Sequence, residues 1–153
     1  MSDGKRQILA DMLVGVARQT FVNQEHSLYW ITLLSIESAF DQSAKSPVGA
    51  LGIAQIMPAY VADFSRLCGF ERLTERDLLD TYTNAILGAC IFRSLIEQTG
   101  SVPLAAVAYN AGPNSASFKA AKKGDAPVAT ETQGYVAKLW LRLLNTKKEL
   151  SSD

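Results

Sequence analysis

The chain has 153 residues, the size of one ordinary domain that can bury a hydrophobic core without help from disulfides or metals. Apolar residues make up 48% of the sequence and charged residues 20%, which is a globular composition and excludes a disordered chain. Lys and Arg number 15, and so do Asp and Glu. This balance indicates neither a nucleic acid nor an anionic membrane surface as a partner.

No apolar run approaches the roughly 18 residues that a membrane-spanning helix needs. The N-terminal segment is typical of an amphipathic helix rather than of a signal-peptide core, because Asp11, Arg18 and Gln19 interrupt its apolar residues. We therefore expect no membrane span, and either a leader that has been removed or another route of delivery.

The two cysteines, Cys68 and Cys90, do not have the spacing of a metal site, and His26 is the only histidine. This composition argues against a zinc site. In an oxidising compartment the two cysteines would form a disulfide, whereas two separate buried thiols fit the sequence equally well.

Helical periodicity runs through the chain, and strand patterns are almost absent. The predicted helices cover, in chain order, about 5–21, 27–40, a segment from Pro58 to just before Gly69, 80–99, a segment from Pro103 to Gly112, and Thr130 to about Lys147. Residues 41–57 form an irregular loop with room for a short β-hairpin. Thr130 and Gln133 have the spacing of a capping box. We predict one mostly α domain over 1–153, with a polar tail at 146–153.

Four large apolar side chains lie within about 60° of Glu37 around the second predicted helix, at about 100° per residue. They are Trp30, Leu33, Leu34 and Phe40. A carboxyl group within this apolar arc should have a raised pKa, because desolvation disfavours its charged form. A neutral carboxylic acid is what protonation of a glycosidic oxygen requires. By itself, however, the helical position favours a Glu that reaches water or pairs with an Arg or Lys.

Four motifs follow one another along the chain. They are Glu37-Ser38, residues 49–58 (GALGIAQIMP), residues 108–113 (AYNAGP) and residues 131–136 (ETQGYV). In this order they resemble the catalytic domain of soluble lytic transglycosylases, a lysozyme-like fold that is also similar to goose-type lysozyme. The resemblance spans about 25–142, and Asn84 and Gly88 match a weaker position of the family. It implies that Glu37 is the catalytic residue.

The resemblance also implies the reaction. Glu37 would first protonate the oxygen between N-acetylmuramic acid and N-acetylglucosamine. It would then act as a base on the muramoyl C6 hydroxyl, which closes a 1,6-anhydro ring without water. Ordinary glycosidases need a second carboxylate. Asp41 lies one turn beyond Glu37, but an Asp that begins the loop is the favoured interpretation, and the family pattern gives it no catalytic role.

Six further residues are expected to bind the substrate by resemblance: Ser38, Gln55, Met57, Tyr109, Asn110 and Tyr135. The amide of Gln55 can both donate to and accept from a sugar hydroxyl or an N-acetyl group. Tyr109 and Tyr135 resemble tyrosines of the family's site, and the hydroxyl of Tyr135 would reach Glu37.

Several of these residues have structural alternatives. In the structural alternative, the Ser38 hydroxyl would bond to the backbone of its helix. Met57 and Tyr135 would be side chains of the hydrophobic core, and Asn110 would cap its loop. Glu131 lies in the first turn of the last predicted helix, where the helix dipole favours an acid, so we expect it to be structural.

Two other functions stay open: a lysozyme that hydrolyses the same bond with water, and a non-catalytic glycan-binding module. The resemblance implies no cofactor and no metal. It implies peptidoglycan glycan strands as the partner, and we expect a monomer in the periplasm or cell envelope. Stand-alone domains of this kind resemble those that serve secretion systems, conjugation machines or phage particles, and the sequence does not choose among these.

Overall fold

The structure is a computed structural model that describes the backbone of residues 1–150 and the side chains of residues 1–149. The helices in this part of the chain are α1 (Asp3–Thr20), α2 (Gln24–Glu37), α3 (Val61–Leu67), α4 (Thr81–Thr99), α5 (Val102–Ala111), α6 (Ala116–Lys122) and α7 (Thr130–Leu150). The chain forms two compact units, one of residues Met1–Arg93 and the other from Ser94 onward. Residues 146–150 of the predicted tail still belong to α7, and 151–153 lie outside the described residues.

The core of the first unit forms where α1 packs against α2. The buried face of α1 has the spacing of a helix: Leu9, Leu13 and Val16. The ring of Phe21, just after α1, lies 6.2 Å from the ring of Trp30 in α2 and 6.2 Å from that of Phe92 in α4. Trp30 and Phe92 are fully buried. This aromatic cluster therefore joins α1, α2 and the first part of α4.

Helix α2 begins at Asn23, whose side chain accepts a hydrogen bond from the N–H of Glu25 at 2.8 Å. It ends at Glu37, three residues before the predicted end, so that prediction was wrong. Ala39 and Phe40 have φ values of 51° and 62°, in the left-handed region that a right-handed helix cannot include.

The predicted loop at 41–57 contains two isolated antiparallel bridges, Lys45–Leu51 and Leu51–Ile56. Leu51 and Ile56 exchange backbone hydrogen bonds of 2.9 and 3.0 Å. Within residues 1–150 these bridges are the only β-pairing. The short β-hairpin that the sequence allowed here therefore consists of these two bridges alone. Pro58 then begins a 3₁₀ turn that ends at Tyr60 and leads into α3.

A second 3₁₀ segment, Glu75–Leu79, precedes α4. Asp80 lies immediately before α4, and its carboxylate accepts hydrogen bonds from the backbone N–H and the hydroxyl of Thr83, at 2.8 and 2.7 Å. These bonds hold the pKa of Asp80 below its ordinary value. The start of α4 is thereby defined by an N-cap, one residue later than the sequence predicted.

Cys68 and Cys90 form a disulfide with a Cα–Cα distance of 6.0 Å. The bond links the residue after α3 to α4, and it decides between the two alternatives that the sequence left open. Both cysteines are only half-buried, and their 22-residue separation is long enough for a cross-link to restrict the unfolded chain substantially.

In the second unit, α5 packs against α6 and α7. Helix α6 was missed by the sequence analysis, because seven residues are too short to show a helical period. Helix α7 begins at Thr130, so Thr130 is not the N-cap that the predicted capping box needs, and the side-chain N–H of Gln133 donates to the carbonyl of Pro127 at 2.6 Å. None of the helices in residues 1–150 has the length and apolar character needed to cross a membrane.

The disulfide predicts a measurable loss of stability in its absence. Replacing both cysteines, C68S together with C90S, should lower the free energy of unfolding by about 3 kcal/mol, because the unfolded chain regains the entropy of an open loop. Urea denaturation followed by circular dichroism measures this change. A reducing agent should lower the stability of the native sequence and leave the double variant unchanged. Equal midpoints for the two proteins would contradict the prediction.

Candidate functional site

Glu37 is the last residue of α2, at the end of a strongly buried stretch of that helix. The preceding Trp30, Leu33 and Leu34 are fully buried, as the helical spacing predicted. The side chain of Glu37 is half-buried as a whole, and its Oε1 atom is buried. The structure therefore places one carboxyl group at the boundary between an apolar core and the surface.

The backbone turns sharply directly after Glu37. Ser38 ends the helix with φ −136° and ψ −1°, and Ala39 and Phe40 follow in the left-handed region. Two successive non-glycine residues in this region are uncommon, and such strain persists only where surrounding contacts hold it. The residue directly before them is held by such a contact: the Ser38 hydroxyl donates to the carbonyl of Ile53 at 2.8 Å.

The Ser38 hydroxyl also lies 3.3 Å from the carbonyl of Leu34, in its own helix. Its single hydrogen is therefore used within the protein, at the shorter of the two distances. The predicted contact of Ser38 with a substrate would have to use its oxygen as an acceptor. The contact that the sequence did not reveal is the one to Ile53, because it joins residues 15 positions apart.

The loop that Ser38 contacts also carries Gln55 and Met57. Gln55 has a φ of 52°, and its side-chain N–H group donates to the carbonyls of Gly52 at 2.9 Å and Ala44 at 3.3 Å. These bonds direct the side chain, and its carbonyl oxygen has the capacity to accept a further hydrogen bond. Met57 is half-buried and lies just before the 3₁₀ turn at Pro58. The Ser38–Ile53 hydrogen bond thus joins the loop of Gln55 to the residue directly after Glu37.

Asp41 is exposed and is bonded within its own turn. Its carboxylate accepts from the hydroxyl of Ser43 at 2.7 Å and from the N–H of Ser43 at 2.9 Å. The hydroxyl bond, followed by the backbone bond, holds the pKa of Asp41 below its ordinary value. Asp41 is therefore ionised at neutral pH and cannot serve as a general acid there.

In the second unit, Tyr109 and Asn110 lie in the last turn of α5, which ends at Gly112 with a φ of 88°. Both side chains are half-buried. Asn110 lines a cavity of about 380 Å³, a size that accommodates a small ligand. The other polar residues of this cavity are Ser115, Ser117, Glu131 and Thr132.

Glu131 lies exposed in the first turn of α7, where the sequence placed it, and it lines the same cavity as Asn110; its structural role stays a prediction. Tyr135 lies one turn further along α7, where its ring and its hydroxyl oxygen are buried. The roles of Tyr109, Asn110 and Tyr135 toward a substrate stay predictions.

Comparisons with known proteins agree with these motifs. The family model described as "Transglycosylase SLT domain" matches residues 12–131. The chain is 32% identical over 119 residues to the soluble lytic murein transglycosylase of Escherichia coli, which is 71% of this chain and 18% of that protein. It is 30% identical over 142 residues to the protein of the same name from Salmonella typhimurium, which is 82% of this chain and 22% of that protein. The chain spans about a fifth of the length of these curated relatives.

Solved structures show the same relation. An inactive mutant of the lytic transglycosylase Slt from Pseudomonas aeruginosa matches with a TM-score of 0.72 and 26% identity, over 93% of this chain and 24% of that one. The 70 kDa soluble lytic transglycosylase from Escherichia coli matches with a TM-score of 0.71 and 25% identity, over 85% of this chain and 22% of that one. The prediction of a mostly α, lysozyme-like fold is confirmed.

The two loop glycines provide a test of the loop geometry. Both have positive φ, 92° at Gly49 and 75° at Gly52, so a side chain strains the backbone at either position. A Cβ at Gly49 would meet nothing within 4 Å, whereas one at Gly52 would lie 2.6 Å from Cγ of Asn84. We expect G52A to destabilise the protein by about 1–3 kcal/mol more than G49A, because only the former overpacks the core. Urea denaturation measures both variants, and equal losses would contradict the geometry.

Proposed function

Because this chain belongs to the Transglycosylase SLT domain family, we propose that it is a lytic transglycosylase that cleaves the glycan strands of peptidoglycan. The bond cleaved is the β-1,4 bond between N-acetylmuramic acid and N-acetylglucosamine. The observation that carries this proposal is the position of Glu37, with one carboxyl oxygen buried at the end of α2. An acid in such a position is suited to proton transfer in a site that restricts water.

We infer that Glu37 acts twice. Its carboxylic acid donates a proton to the bridging oxygen as the bond from that oxygen to the muramoyl C1 breaks, and positive charge develops on the sugar ring. The resulting carboxylate then removes the proton of the C6 hydroxyl while O6 bonds to C1. The proton returns to Glu37, the N-acetylglucosamine leaves with a free hydroxyl, and the muramoyl end becomes a 1,6-anhydro sugar with no water consumed.

The exposed position of Asp41 supports a mechanism with one carboxyl group. An inverting or retaining hydrolase uses a second carboxylate, as base for water or as nucleophile. Asp41 is the nearest acid to Glu37 along the chain, and both hydrogen bonds from Ser43 hold its carboxylate in an exposed turn. Both bonds go to Oδ1, and an ionised carboxylate is the form that a base or a nucleophile needs, so it is the exposure of Asp41 rather than its charge that supports a mechanism with Glu37 alone.

Substrate binding is proposed for six residues: Ser38, Gln55, Met57, Tyr109, Asn110 and Tyr135. The fixed amide of Gln55 and the cavity beside Asn110 support their part in it. The match of the family model to residues 12–131 takes in parts of both compact units, which supports one functional domain.

We also propose that the protein works in the periplasm or elsewhere in the cell envelope, where peptidoglycan lies. The Cys68–Cys90 disulfide supports this location, because disulfides form and persist in oxidising compartments.

The role of Glu37 is tested by two substitutions that each replace a carboxyl group with an amide. E37Q should lower the rate of peptidoglycan lysis by about 10²–10⁴-fold, because an amide can neither donate nor accept the transferred proton. D41N is the matched control and should keep the native rate within about twofold. Circular dichroism checks that both variants are folded. Near-native lysis by E37Q would refute the single-carboxylate mechanism.

The products separate the transglycosylase from its alternatives. We expect mass spectrometry of digested peptidoglycan to show 1,6-anhydromuramoyl ends, because O6 rather than water attacks C1. These ends are lighter by one water, about 18 Da, than the reducing ends that a lysozyme leaves. A majority of reducing ends would indicate a hydrolase. Native protein that binds the glycan and yields neither product would indicate a non-catalytic binding module.

A further inference from the structure

Asn84 on α4 has a fully buried side chain whose hydrogen bonds all go to backbone groups. Its Nδ2 donates to the carbonyl of Leu51 at 3.0 Å and to that of Leu78 at 2.9 Å. Its Oδ1 accepts from the N–H of Ala54 at 2.9 Å. Only a side chain that both donates and accepts can make this set, and an amide is the compact group that does so.

The bond to Ala54 involves a peptide group that a second side chain also binds. The N–H of Ala54 and the carbonyl of Ile53 belong to the same planar unit, and this bond is trans like the others in the described residues. Asn84 accepts from the N–H, and the Ser38 hydroxyl donates to the carbonyl at 2.8 Å. In a trans peptide these two groups point in opposite directions. Ser38 and Asn84 therefore hold one rigid plane from its two sides.

The surroundings of this peptide group make the two bonds effective. Ile53, Ala54 and Asn84 are all fully buried, so water does not compete for them and the local dielectric is low. Gly52 brings the backbone against the amide so closely that a Cβ there would lie 2.6 Å from Cγ of Asn84. The loop has little freedom to shift while Asn84 is in place.

We propose that Asn84 is a positioning residue for Glu37, an inference that rests on the catalytic role proposed for that glutamate. Asn84 fixes the Ile53–Ala54 peptide group, and this group fixes Ser38. Ser38 directly follows Glu37 and is followed in turn by the left-handed Ala39, so it supplies a long-range anchor at the end of α2.

The same amide also supports the loop position of Gln55. The carbonyl of Leu51 accepts from Asn84, and the next residue, Gly52, accepts from the Gln55 side chain at 2.9 Å. Loss of the Asn84 amide should thus disturb the acid and a proposed substrate-binding residue together. The effect on the acid should dominate, because proton transfer tolerates small displacements less than binding does.

The first test compares N84A with the disulfide-free double variant, C68S with C90S. The control also destabilises the region around α4, but it leaves the Asn84 bonds intact. Rates are measured on soluble, uncrosslinked peptidoglycan strands, far below the unfolding temperature of every variant. We expect N84A to lower kcat by about 10- to 100-fold with KM changed by less than about threefold. The control should keep kcat within about twofold.

The second test does not depend on activity. Hydrogen exchange followed by mass spectrometry should show exchange in N84A at least about tenfold faster in the peptides that contain 51–56 and 38–44. Loss of one buried hydrogen bond is enough for that change. The control lowers global stability, so it should speed exchange in these peptides no more than in other protected peptides of the chain, whereas N84A should speed it in these peptides selectively. If N84A does not fold, N84S replaces it, since its shorter hydroxyl cannot make all three bonds.

The outcomes separate this proposal from the proposed function. A fall in kcat together with faster exchange in both peptides supports the positioning role. Native kcat in folded N84A overturns it, whatever the exchange rates are. If the native protein does not cleave peptidoglycan at all, the proposed function fails, and the hydrogen-exchange rates alone test the structural link from Asn84 to the end of α2. Unchanged exchange at 38–44 in N84A then overturns that link.

Discussion

The peptide group between Ile53 and Ala54 is the point on which the geometry of the first unit depends. It is fully buried, and it is bound on one side by the Ser38 hydroxyl and on the other by the Asn84 amide. A buried peptide group without partners would cost free energy, so these side chains satisfy a requirement as well as fix a position. The bonds connect α2, the 41–57 loop and α4 within one short path.

This path explains how an irregular loop can be held in the precise position that the proposed site requires. The loop has only two isolated β-bridges, and Gly49, Gly52 and Gln55 all have positive φ. The backbone hydrogen bonds of the loop are made within the loop itself, and the side chains of Ser38 and Asn84 supply contacts that tie it to the rest of the first unit. The aromatic cluster of Phe21, Trp30 and Phe92 joins those same helices. Packing sets the distance between them, and hydrogen bonds set the position of the loop.

The sequence predicted most of the helices because each has an apolar period, an N-cap or a terminal glycine that acts locally. It failed where local rules do not apply. The end of α2 was placed at Phe40, since nothing in the sequence marks Ala39 and Phe40 as left-handed. Helix α6 has seven residues and too short a period to detect. For the site, Glu37 could be identified from four ordered motifs, whereas the contact between Ser38 and Ile53 could not.

The sequence by itself determined the helical composition, the family and the acid that we propose to be catalytic. These follow from periodicity and from motifs that are read along the chain. Only the tertiary structure decided that Cys68 and Cys90 are bonded and that Asn84 meets the loop. The physical reason is distance along the chain: the disulfide spans 22 positions, and the bond from Ala54 to Asn84 spans 30. Contacts of this kind arise from packing of whole elements, which no local pattern of residues specifies.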